Sequence, residues 1–190
     1  MLMEIRMLIF CVVLCSTIKE SFSQDCGVER WKIKTLSDTD TMMVKFDSVI
    51  TSTVHEQVNI EAPFGRLFGR IQSEYNVYSV ECFLIGYKSE DDHDIHIIVE
   101  DIATDETMIV EIVDPECQNI KNNSRFPQMS ETYLWFLKNI GKPGRSFIFL
   151  QQHPKVIITG VGFWDYLHGQ KGMANNGREL HPVLKIQLTN

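Results

Sequence analysis

Residues 75–113 read YNVYSVECFLIGYKSEDDHDIHIIVEDIATDETMIVEIV, and this stretch decides the fold class. Tyr75 to Lys88 is long, proline-free and rich in β-branched and aromatic residues, the composition of a strand. Ser89-Glu90-Asp91-Asp92-His93 follows as a charged turn. From Asp94 to Glu100 the residues alternate. Ile95, Ile97 and Val99 share one face, and Asp94, His96 and Ile98 the other. A turn around Thr104-Asp105-Glu106 leads to a third strand, Thr107 to Val113, which Asp114-Pro115 ends.

Downstream, Ser130 to Ile140 has the pattern of a helix. Ser130 is placed to cap it, Glu131 suits its first turn, and Gly141 with Pro143 stops it. Tyr133, Leu137 and Ile140 define its buried face. Two more strands follow, Val156 to Asp165 and Glu179 to Leu188, joined by a loop rich in glycine and asparagine. The order strand, strand, strand, helix, strand, strand predicts a mostly β, OB-fold-like five-stranded barrel with one helix between strands 3 and 4. A β-sandwich with the helix as crossover is the alternative.

Upstream, residues 24–73 form an N-terminal extension to the 74–190 barrel domain. Trp31 to Leu36 and Met42 to Ile50 are strand candidates, and Ala62 to Arg70 is a loop. Residues 1–23 have the form of an export signal: a charged start ending at Arg6, an apolar run from Met7 to about Leu14, and small residues at Ser21 and Ser23. The apolar run is well short of the roughly 20 residues that span a bilayer, so no stable membrane span is expected in the mature chain. The expected location is secreted or periplasmic.

The chain has 190 residues, 44% apolar and 23% charged, with a net charge of −7. Removing Arg6, Lys19, Glu4 and Glu20 with the signal leaves that charge unchanged. An acidic chain does not coat nucleic acid by bulk attraction. After cleavage three cysteines remain. Cys82 lies inside a strand, whereas Cys26 and Cys117 lie in loops, so those two are expected to pair in an oxidising compartment. No cysteine or histidine spacing matches a zinc motif.

OB-folds bind ligands on the face of strands 2 and 3, edged by the loops joining strands 1 to 2 and 4 to 5. Here those loops are 89–93 and 167–178, and four of the six histidines lie in or beside them. Both are expected at one end of the barrel, with Asp94/His96 facing Asp165/His168 across its mouth. In the last strand Leu180, Leu184, Ile186 and Leu188 are assigned to the core side, and Glu179, His181, Lys185 and Gln187 to the other. The candidate binding residues are Asp94, His96, Asp165, His168, Gln170, Asn176, Arg178, Glu179 and His181. Carboxylates beside imidazoles can hold a divalent metal or orient a histidine as base. Asp94, His96, Asp165 and His168 are the metal candidates.

Three functions compete on these residues. The first is an exported binding module with its ligand at the loop 89–93 and loop 167–178 face. The second is a metal-dependent secreted hydrolase of phosphodiesters, with Arg178 on phosphate and His168 or His181 as acid or base. The third is a structural envelope protein.

The last third of the chain resembles a group of secreted bacterial proteins of uncharacterised activity. The resemblance rests on Thr159-Gly160-Val161-Gly162-Phe163-Trp164-Asp165, His168-Gly169-Gln170 and Asn176-Gly177-Arg178-Glu179-Leu180-His181-Pro182-Val183. Asp94-Ile95-His96 and Asp114-Pro115-Glu116-Cys117 extend it, and Trp164 stands where phenylalanine is expected. It implies a bacterial exported protein, in which the Asn122-Asn123-Ser124 acceptor would not be glycosylated.

Overall fold

A computed structural model describes residues 26–27, 29–117 and 120–189. The proposed export signal lies outside the described residues. Among them, no helix is long and apolar enough to cross a membrane.

Seven strands form one sheet: β1 (Lys45–Ser52), β2 (Asn76–Ser89), β3 (Ile95–Asp101), β4 (Thr107–Ile112), β5 (Ile148–Phe149), β6 (Lys155–Trp164) and β7 (Arg178–Leu188). Five of them close a barrel in the order β2-β3-β4-β7-β6 and back to β2. Only the β4–β7 pairing in that ring is parallel. This is the OB-like arrangement, and the sandwich alternative does not hold. Outside the ring, β1 pairs in parallel with β2, and the two-residue β5 pairs with β2 near Gly86. A Cβ on Gly86 would stand 2.9 Å from the Ile148 carbonyl oxygen, so the missing side chain lets β5 approach.

Alternation fills the barrel. Val80, Cys82 and Leu84 from β2, Ile95, Ile97 and Val99 from β3, Met108, Val110 and Ile112 from β4, and Val156 and Ile158 from β6 make one buried cluster. The helix α3 (Phe126–Asn139) closes one end by placing Phe136 edge-on to Tyr87, 5.1 Å between ring centres. The other end is closed by the short helix α2 (Val54–Val58), which has a Thr53/Glu56 capping box and buries Val54.

Several expectations need correction. Trp31–Lys34 is a single helical turn, α1, rather than a strand. The Trp-Lys-Ile-Lys pattern fits period 2 as well as one turn, and the Thr35 hydroxyl bonding back to the Trp31 carbonyl favours the turn. The next strand starts three residues late, after a 3-10 turn at Thr39–Met43. Helix α3 starts at Phe126, so Ser130 is interior. Pro127 takes the first turn, where a missing N–H costs nothing, and Asn123 Oδ1 receives the Arg125 N–H. Its buried residues are Met129, Thr132 and Phe136, with Tyr133, Leu137 and Ile140 flanking them. In β7, two register shifts against β6 each insert a residue. The phase is inverted only between the two shifts: Leu180 and Ile186 keep the expected core side, Val183 takes the interior position expected of Leu184, which joins the outer cluster, and Leu188 is exposed.

The N-terminal extension is pinned to the barrel by buried cations. Arg30 bonds both carboxylate oxygens of Glu74 and the Trp164 carbonyl. Arg70 bonds both oxygens of Asp38 and the carbonyls of Ile33 and Glu74. Burial would raise the Asp38 carboxyl, but the Arg70 guanidinium outweighs it and holds Asp38 below its ordinary value. The stabilisation it provides is complete above the unfolded value of about 4 and is lost as pH falls through the lower folded value. Protection of the amides across residues 37–44, relative to their intrinsic exchange rates, is therefore expected to fall below about pH 4, ahead of the barrel strands. Exchange that is uniform along the chain in that range would contradict the clamp.

Candidate functional site

The polar residues of β3, β4 and β7 point away from the barrel interior, onto the outer face of the wall. The registers His96↔Glu111, Ile109↔Glu179 and Val110↔Leu180 set His96, Glu111 and His181 in one row across three strands. Residues 29–36 lie over this row, tied down through the Cys26–Cys117 disulfide and by Asn123, whose side chain donates to the Thr35 and Leu36 carbonyls. The pairing expected for the cysteines is the one observed, and Cys82 is a buried free thiol. The site is thus a covered sheet face, not the barrel mouth.

The expectation that loops 89–93 and 167–178 leave the barrel at the same end does not hold. Strands β2 and β6 are antiparallel neighbours, so the loops after them leave opposite ends. They meet because the second folds back over the wall. The Lys171 carbonyl accepts a hydrogen bond from His96 Nε2 at 3.1 Å, and Gly172, with φ +82°, lies where a Cβ would overlap Ile98. Between the loops and residues 26–34 is a cavity of about 400 Å³. Glu29, Lys34, Glu90, Asp92, Glu111, Asp165, His168 and Gln170 line it, with the disulfide at Cys26 on its edge.

Beneath the cavity the charges are close. Glu111 Oε1 lies 3.3 Å from His96 Nδ1, and its Oε2 lies 2.9 Å from His181 Nδ1. Glu90 Oε1 is 2.9 Å from His96 Nδ1, and Asp94 Oδ2 is 3.2 Å from His181 Nε2. The Lys34 ammonium is 3.8 Å from Glu111 Oε2. Burial works against each charge here, but the partners decide the outcome. Burial lowers the His96 pKa, yet Glu111 and Glu90 carry it up to about 9. His181 is likewise raised, by Asp94 and Glu111 against burial. Burial would raise Glu111, but His181, His96 and Lys34 hold it well below the carboxylate range. Burial also pulls Lys34 down, and the carboxylates of Glu111, Asp165 and Glu179 more than reverse it. Asp92 rises to about 6 through burial and the nearby Asp94 and Glu111 charges.

Neither a protein-family model nor a curated protein matches this chain. The functional argument therefore rests on this geometry.

Of the sequence candidates, Asp94, His96, Glu179 and His181 converge in the buried cluster, while Asp165, His168 and Gln170 line the cavity above it. Asp165 and His168 are 4.0 Å apart, but neither belongs to the groups of donor atoms that crowd within 4.8 Å among the described residues. Those groups are Glu90/His96/Glu111 and Asp94/Glu111/His181, which corrects the expected metal set. Two candidates fall outside the site. Asn176 ties the loop to the Gln57 and Ile60 carbonyls beyond α2. Arg178 is buried against Tyr78 and Trp164 and bonds Gln57, so it holds no ligand phosphate. Glu111 was missed, although a lone carboxylate inside Met108-Ile109-Val110-Glu111-Ile112-Val113 was a visible signal. Glu90 belongs to the charged 89–93 turn, and only the fold brings its carboxylate onto His96. Lys34 gave no local signal, because only the docking of the extension brings it here.

His168 and His181 differ in burial, and their alanine variants are expected to differ accordingly. His168 has a side chain 44% exposed, whereas His181 is fully buried. His168→Ala is expected to change stability by less than about 0.5 kcal/mol. His181→Ala leaves Asp94 and Glu111 without their shared partner, at about 1–3 kcal/mol. Equal melting temperatures for the two variants would contradict the placement of His181.

Proposed function

We propose that this protein is an exported binding module that holds a small cationic ligand on the outer β3–β4–β7 face of an OB-like barrel, beneath residues 26–34. The observation that carries this reading is the charge of the cavity. Glu29, Glu90, Asp91, Asp92, Glu111 and Asp165 line it, against Lys34 and His168. Its position supports the reading too, because β3 and β4 are strands 2 and 3 of the barrel, the ligand face of OB-folds. The disulfide suits an oxidising compartment. The likeness to secreted bacterial proteins supports the same setting.

The phosphodiesterase reading is weaker on this geometry. An acidic cavity repels a phosphodiester, and Arg178 is engaged elsewhere. A structural or contact protein has one observation in its favour: Met42, Met43, Phe64 and Phe68 of the extension are exposed.

The test is an NMR titration of the protein with agmatine, a small organic cation, with zinc chloride and with inorganic phosphate. The reading expects at least one cation to shift the amide resonances of Lys34, Glu90 and Gln170, and phosphate to leave them unchanged. Phosphate shifts at those residues, or no response to either cation, would overturn it.

A further inference from the structure

We propose that the covered cavity takes an organic cation rich in N–H donors, a guanidinium or a primary amine, with Asp165 and Gln170 as its recognition groups. This rests on the reading of the covered face as a cation site and names the class of cation.

The acids that line the cavity are not equivalent. Glu111 lies between the Lys34 ammonium and the imidazoles of His96 and His181, and Glu90 between the Lys88 ammonium and His96. Those two carboxylates are matched from within the fold. Asp165 follows the last residue of β6, and its side chain is only 4% exposed. The nearby imidazole of His168 is 4.0 Å away and 44% exposed. That separation is beyond hydrogen-bond reach.

Unmet acceptors are the independent observation. Asp165 Oδ1 is buried and has no hydrogen-bond partner among the described residues, and the same holds for Gln170 Oε1. Both residues line the cavity. Gly169, with φ +79°, turns the chain between His168 and Gln170, so that both side chains reach it. A buried acceptor without a donor is costly in a folded chain, so the pair calls for donors supplied by a ligand. Gln170 adds what an acidic cluster lacks, a neutral oxygen that an N–H group satisfies.

The positions favour nitrogen donors over a bare ion. An ion bonded at about 2.1 Å holds its ligands within about 4.2 Å of one another. Asp165 belongs to neither group of three donors that crowd within 4.8 Å among the described residues. A single ion therefore cannot take Asp165 together with two of the other acids or imidazoles. A guanidinium presents five N–H donors in a planar fork, and a primary ammonium three, so either reaches acceptors that stand farther apart. A cavity of about 400 Å³ has room for such a molecule.

The experiment is calorimetric titration of the protein with agmatine, with methylguanidinium, and with tetramethylammonium, a monocation like the second but without N–H. The expected result is one agmatine per chain, with methylguanidinium binding and tetramethylammonium at least about 10-fold weaker than it. N-acetylarginine methylamide carries the group on a peptide unit: its binding extends the class to arginine peptides, and its exclusion confines the class to free cations. Asp165→Asn is expected to weaken agmatine about 10–100-fold, and Gln170→Ala about 2–10-fold. His55→Ala, on the exposed pair with Glu106, leaves affinity unchanged. Asp165→Asn keeps the side-chain shape, and circular dichroism verifies that it folds. Zinc, drawn to the same acids, is expected to compete with agmatine. Tetramethylammonium binding as tight as methylguanidinium, agmatine binding that ignores both cavity substitutions, or no binding of either guanidinium overturns the assignment. If zinc still shifts the amides of Lys34, Glu90 and Gln170, the binding-module reading survives that failure; if zinc does not, both fall.

Discussion

Replacing Cys26 and Cys117 with serine is expected to lower the melting temperature by more than 8 °C, at roughly 2–4 °C per kcal/mol for a chain of this size. The bridge joins residues 91 apart in sequence. Closing a loop of that length removes about 4–5 kcal/mol of unfolded-chain entropy in the simple chain model. The loss is local as well as global. Without the bridge, residues 26–36 are held over the β3–β4–β7 face by Arg30, Lys34 and the Asn123 clamp. Faster amide exchange at Ile33 to Leu36 should therefore accompany the lower melting temperature. Calorimetry with and without reductant gives the same comparison on the unaltered chain. A shift below about 2 °C would contradict the role of the bridge.

Arg178→Ala is expected to cost about 4 kcal/mol while leaving the cation site intact in the folded fraction. Its guanidinium donates to Gln57 and stacks over Tyr78 and Trp164. Truncation loses two buried cation–π contacts of up to about 2 kcal/mol each, and strands the Gln57 side-chain Oε1, which adds about 1–3 kcal/mol. Gly162 marks how closely the arginine is fitted, since a Cβ there would overlap the guanidinium. Lysine does not restore this, because it lacks the planar fork that stacks and bonds at once. Thermal denaturation checks the stability, and zinc titration of the folded variant checks the site. An unchanged melting temperature with lost ligand binding would return Arg178 to the ligand.

The barrel was readable in the sequence because β2, β3 and β4 are long, alternating and separated by charged turns. Their order with α3 then fixed which strands could close the ring. The convergence of Asp94, His96, Glu179 and His181 was readable for the same reason, as polar residues at alternate positions of apolar strands have to share a face. What failed was non-local. The two extra residues in β7 invert its phase only between them, which moves Leu184 out and Val183 in, and nothing in Leu180 to Leu188 announces them. Trp31–Lys34 is too short for periodicity to separate a turn from a strand. The cover over the site comes from docking of residues 26–36, so Lys34 could not be placed from its neighbours. Asn176 and Arg178 looked like Asp165 and His168 in composition, and only the path of the loop separates an anchor from a ligand contact.

The central claim is that a cation sits in the acidic cavity on the covered face of β3, β4 and β7. A crystal grown with zinc and measured above the zinc absorption edge tests it most directly. The account predicts one anomalous peak in the cavity lined by Glu90, Asp92, Glu111 and Asp165, beneath residues 29–34. Peaks only at His55 or His153, with none in the cavity, would contradict it.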